Sequence, residues 1–161
     1  MAHYNLGTLL ANSSQTPDAL AEYQKAIDLA PENTLFLEHL GVLQVMNNQP
    51  EQGIALLQKA IVLKPDVSEY QFNLGYILET RGDLPGSQAA LQKAVELSEH
   101  KNSRFLAELA SVEDKTAHPS DAVQHAQEAL ALAQKENDQT QTRTLQNAIS
   151  QYQKDAATKQ P

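Results

Sequence analysis

The sequence predicts an all-α repeat protein: a solenoid of about four helix–turn–helix units closed by a C-terminal capping helix. Three observations predict it. Small and apolar residues recur with a 34-residue period. Within each period the apolar spacing is that of a helix. Gly and Pro number only 6 and 7 in 161 residues, while Ala, Leu and Gln dominate, a composition that favours helices.

The period is carried by many columns. Gly7, Gly41 and Gly75 stand 34 apart, each after a leucine (Leu6, Leu40, Leu74). Ala26, Ala60 and Ala94 keep the step, and Ala129 follows after one inserted residue. A small-residue column runs through Ala19, Gly53, Ser87 and Ala122, and an apolar one through Leu29, Leu63, Leu97 and Leu132. Two antiparallel helices approach closely only where bulk is missing. Gly41, with Gly53 and Ala60 on its partner helix, supplies that gap. A lone hairpin cannot bury its apolar stripe, so neighbours must stack.

The units fall at about 1–33, 34–67, 68–102 and 103–136, giving an array over 1–135. In the first, Leu6, Leu9 and Leu10 form one stripe and Leu20, Tyr23, Ile27 and Leu29 another. Ser13-Ser14-Gln15-Thr16-Pro17, Asn47-Asn48-Gln49-Pro50, Arg81-Gly82-Asp83 and His118-Pro119-Ser120 read as turns. The prolines suit the first turn of each second helix, where the missing N–H is not needed. The fourth unit departs from the pattern at Glu113 and at the longer turn 114–119. Residues 137–158 form the cap, with Leu145, Ile149 and Tyr152 on one face, and 159–161 a frayed tail.

Composition excludes several functions. The net charge is −8, so no basic face for a phosphate backbone and no nucleic-acid partner is expected. There is no cysteine, hence no disulfide, thiolate site or Cys nucleophile. No apolar run reaches the ~20 residues of a membrane span, so no direct membrane insertion is expected. The start of the chain lacks signal-peptide character, leaving the cytoplasm as the default location. The five histidines show no metal spacing. His118 falls in a turn and His125 on a face expected to be solvated. No paired nucleophile, phosphate loop or cofactor motif is present, so a non-catalytic protein without cofactors is expected.

These columns resemble the tetratricopeptide repeat family. Leu6-Gly7, Ala19, Tyr23, Ala26 and Pro31 match in the first unit. Leu40-Gly41, Gly53, Leu57, Ala60 and Pro65 match in the second, and Leu74-Gly75, Ser87, Leu91 and Ala94 in the third. The resemblance implies a right-handed α-α superhelix whose first helices line a concave groove that binds peptides or partner proteins. Repeat segments of larger proteins, such as bacterial glycosyltransferases, are analogues for a second, structural or regulatory reading. The 126–133 run has a bacterial style.

The residues add their own indication of a groove. The helix around Gly41 is apolar on two sides. Phe36, Leu40 and Leu43 serve packing; Leu35, Val42, Val45 and Met46 lie opposite, with Glu38 and His39 near them. In the third unit Phe72 and Tyr76 fall on the equivalent face, flanked by Glu69 and Glu79; in the first, Tyr4, Thr8 and Ala11 do, and Asn5 and Asn73, two residues before the repeat glycine, join the groove. An exposed apolar face of that size marks an interface. Its carboxylates suit a partner with apolar and basic side chains, and Phe72 and Tyr76 are expected as exposed anchors. Packing against neighbouring repeats is the alternative for both.

The family's carboxylate clamp for C-terminal tails is not expected, because Tyr4 and Glu69 stand where its lysines would be and Asn73 where its arginine would be. Ala2 enters a helix column with no capping residue before it. That fits either a piece of a longer protein, the favoured explanation, or a homo-oligomer formed through the N-terminal helix.

Overall fold

The computed structural model describes residues 1–158, so the tail at 159–161 lies outside the described residues. Among them are nine helices and no strand: α1 (Ala2–Asn12), α2 (Thr16–Leu29), α3 (Thr34–Met46), α4 (Pro50–Leu63), α5 (Ser68–Thr80), α6 (Leu84–Leu97), α7 (Ser103–Lys115), α8 (Pro119–Lys135) and α9 (Gln139–Thr158). They form two compact units, Met1–Ile77 and Leu78–Pro161.

Local chemistry sets the helix ends. The Asn33 side chain accepts from the Leu35 and Phe36 amides, and Asn102 does the same for Arg104 and Phe105. Pro17, Pro50, Pro85 and Pro119 occupy the first two positions of their helices. The turns inside the hairpins close through a left-handed residue: Ser14, Asn48, Gly82 and Ala117, with φ of +59°, +60°, +80° and +63°. At each, the following amide donates to a carbonyl five residues back, as from Gln15 to Leu10 at 2.9 Å and from His118 to Glu113 at 2.8 Å.

In the first unit α1 packs on α2, α2 on α3 and α3 on α4. Its core joins Ala19, Tyr23, Ala26, Phe36, Leu37, Leu40 and Tyr70. The α3–α4 crossing is as close as the glycine columns demand. A Cβ on Gly53 would stand 2.4 Å from the Gly41 carbonyl oxygen, and one on Gly41 would stand 2.9 Å from that of Gly53. Tyr70 on α5 donates a hydrogen bond to the Thr34 hydroxyl at 2.9 Å.

In the second unit α6 packs on α7, α7 on α8, and α9 on both α7 and α8. Leu91, Leu106, Leu109, Val112 and the alanines 122, 126, 129 and 133 are buried, and Leu145 of α9 is buried with them. Ser87, in the small-residue column, is fully buried and its hydroxyl has no hydrogen-bond partner.

Two apolar columns behave differently from their pattern. Leu29, the last residue of α2, is 75% exposed. Leu6 and Leu9 lie on the outer face of α1 and are 44% and 63% exposed.

Candidate functional site

The first unit holds a cavity of about 270 Å³ lined by α1 (Thr8, Ala11, Asn12), α2 (Tyr23), α3 (Glu38, His39, Val42, Leu43, Met46) and α5 (Asn73). A second, of about 330 Å³, adjoins it through Val42, Met46 and Asn73, and adds Val45, Tyr76 and Ile77. One apolar stretch of α3 therefore serves both. Met46 is 78% exposed and Tyr76 50%, so the rim of this groove stands open.

A polar network forms the wall of the first cavity. The Thr8 hydroxyl donates to the Tyr4 carbonyl at 3.0 Å, leaving its oxygen to accept from Tyr23, also at 3.0 Å. The Tyr4 hydroxyl lies 3.1 Å from His39 Nε2, and His39 Nδ1 lies 3.5 Å from the Tyr23 oxygen. One assignment satisfies all four groups: Tyr4 donates to Nε2, and Nδ1–H points to Tyr23. That requires a neutral imidazole, and burial pushes His39 below its ordinary value. Tyr4 also stacks on Phe36 at 5.0 Å between ring centres, which ties α1 to α3.

Beside this network stands Glu38, half-buried. Burial raises its carboxyl above the ordinary value. Asn73, whose amide donates to Glu38 Oε1 at 2.9 Å, acts the other way, and the charge of Glu69 adds to the rise. No cationic side chain pairs with Glu38 among the described residues. Four other shielded glutamates meet a cation or an imidazole, while Glu108 shares a hydrogen bond with Glu79. Glu22 meets Lys25 at 2.7 Å and His3 at 2.6 Å, Glu79 meets Lys115, Glu113 meets His125 at 2.8 Å, and Glu128 meets His100 at 3.0 Å.

The structure brings Thr8, Glu38, His39, Val42, Val45, Met46, Asn73 and Tyr76 together around the two cavities, with Tyr4 behind them. It places others elsewhere. Phe72 is not an exposed anchor. It is buried at 3% exposure and stacked on Tyr76 with ring centres 6.5 Å apart, so Tyr76 alone is presented. Glu79 belongs to the second unit, held by Lys115 and by a hydrogen bond to Glu108. Asn5 and Leu35 are exposed away from the cavities, and Glu69 accepts from the Ser68 hydroxyl at 3.1 Å. His125 is not solvated: its side chain is 18% exposed and paired with Glu113.

Tyr23 and Asn12 also line the cavity and are absent from the sequence-derived site. Tyr23 was legible: Leu57 and Leu91 fill its column in the next two units, so its hydroxyl is an addition specific to the first. Asn12 carries no such signal. Among the described residues no group of three or more His, Asp and Glu side chains could hold a metal ion, and no helix is long and apolar enough to cross a membrane.

The tetratricopeptide repeat family matches residues 4–66 and again 40–102, together more than half of the sequence. The chain belongs to the tetratricopeptide repeat family. No curated protein matches it in sequence. Similar solved structures include a fragment of MamA from Desulfovibrio magneticus RS-1, at 20% identity and a TM-score of 0.74 over 86% of this chain and 76% of that one. The pilF protein of Pseudomonas aeruginosa is similar at 18% identity and a TM-score of 0.73 over 94% and 75%. An O-GlcNAc transferase mutant from Thermobaculum terrenum aligns at 22% identity and 0.70, over 83% of this chain but 25% of the enzyme. At these identities the likeness is one of fold.

Proposed function

We propose that this tetratricopeptide repeat chain is a non-catalytic interaction module, and that the groove of its first unit binds a protein segment with apolar and basic side chains. The carrying observation is the open apolar rim of Val42, Val45, Met46 and Tyr76 around two joined cavities. Exposed apolar surface costs free energy in water at roughly 25 cal/mol per Å², and a groove that keeps it is suited to an occupant. The Glu38 carboxylate and the net charge of −8 favour a cationic segment over an acidic one.

The test is selection of a random dodecapeptide display library on the immobilised chain. Met46→Ala combined with Tyr76→Ala is the control, since both side chains are half-exposed or more and their truncation leaves the fold intact. Peptides enriched on the parent and not on the double variant support the reading. Equal enrichment on both, or none on the parent, overturns it.

A second reading is favoured by the exposed Leu6 and Leu9 on α1: self-association through that helix. Sedimentation equilibrium distinguishes it, because a strict monomer at high concentration removes it.

A further inference from the structure

We propose that the cavity formed by α1, α2, α3 and α5 is a subsite for one arginine side chain of the bound segment, with the guanidinium on Glu38 and the aliphatic stem over Val42 and Met46. This rests on the groove reading above and names the group that the cavity selects.

Charge comes first. A half-buried carboxylate loses hydration, and either a proton or a cationic partner offsets that loss. Four other shielded glutamates of this chain offset it with a cationic side chain or an imidazole. Glu38 has the Asn73 amide, and Glu69 adds further negative charge. The first unit thus carries a desolvated acid beside a groove, and a cation supplied from outside would complete it.

Size and lining decide which cation. At about 270 Å³ the cavity has room for one long side chain, and the adjoining cavity leaves room for its neighbours in the segment. Its entrance is hydrocarbon and thioether (Ala11, Val42, Met46), which suits a methylene stem. Its lining offers oxygen acceptors, the Glu38 carboxylate and the Asn12 side chain among them. A planar guanidinium has five donors and is weakly hydrated, so it enters such a site at lower desolvation cost than the compact, strongly hydrated ammonium of lysine. His39 adds no competing positive charge, because its place in the tyrosine network keeps it neutral.

The experiment uses the same dodecapeptide library on the whole chain and on Glu38→Gln, which keeps the shape and the Asn73 contact. Arginine should be enriched at one position among apolar neighbours on the parent. Resynthesised arginine peptides should bind E38Q about tenfold more weakly, the effect of removing one member of a partly buried charge pair. Replacing that arginine by citrulline should cost the parent a similar factor and E38Q little. If peptides are enriched for apolar residues without arginine, or if E38Q binds arginine peptides as well as the parent does, the subsite is overturned and the groove reading stands. If no peptide prefers the parent to the Met46/Tyr76 variant, both fail. A circular-dichroism melt of E38Q checks that the fold is kept; should it be lost, the citrulline comparison on the parent decides alone.

Discussion

Two glutamates, one in each unit, are buried in opposite ways. In the second, Glu113 lies in the core of α7 at 4% exposure and meets the His125 ring of α8 at 2.8 Å, while Glu128 meets His100 at 3.0 Å. In the first, Glu38 lines an open cavity with an amide as its hydrogen-bond donor. One acid meets an imidazole of the same chain, and the other meets an amide. On the proposal above the first is structural and the second binds, although both are glutamates on the first helix of a hairpin.

The sharpest way to break this contrast is to remove each partner in turn. His125→Ala leaves the buried Glu113 carboxyl without its partner, and should destabilise the chain by about 3 kcal/mol in urea unfolding. Glu38→Gln removes a charge that has no cation, so its midpoint should be unchanged or higher. Equal losses for the two variants would mean that Glu38 is structural after all.

Acidity sharpens the same comparison. The Glu113 hydrogen bond, aided by the charges of Glu128 and Asp121 and opposed by burial, holds His125 above its ordinary 6.5. The folded chain binds that proton more tightly than the unfolded one. Its contribution is therefore complete below 6.5 and is lost as pH rises through the raised value. Glu108, pushed up from 4.5 to about 7 by burial and by Glu79 beside it, acts with the same sign between those values. His39, held below 6.5 by burial, acts with the opposite sign up to that value, so the melting temperature should fall as pH rises above 6.5. E108Q should flatten the lower part of the slope and His125→Gln the upper part. A rising profile over this interval would contradict the assignment.

The smallest effect concerns packing. The column that is Ala19, Gly53 and Ala122 elsewhere is Ser87 in the third hairpin, with its hydroxyl buried and without a partner. Ser87→Ala should raise stability by about 1 kcal/mol, read from the same urea curves, because no hydrogen bond is lost and a desolvated hydroxyl is removed. A loss of stability would show that the hydroxyl is engaged.

Much of the fold was legible because its cause is local or periodic. The glycine columns encode the Gly41–Gly53 contact, and the prolines of the hairpin turns mark the second helices. The rest depends on which neighbour covers which face. Phe72 and Tyr76 lie one turn apart and look equivalent in sequence, yet one is buried and the other half-exposed. Glu113 announced itself as a departure from the repeat, but its partner is 12 residues away on the next helix and could be named only from the packing. Leu29 keeps an apolar column although it is exposed.

The most direct measurement is a titration of an enriched arginine peptide into the ¹⁵N-labelled chain, reading which backbone amides shift. Shifts should centre on Thr8, Glu38, Val42, Met46 and Asn73 and should need about tenfold more peptide in E38Q. Shifts confined to α6–α9 would contradict the assignment of binding to the first unit's groove, and a titration unchanged by E38Q would contradict the arginine subsite.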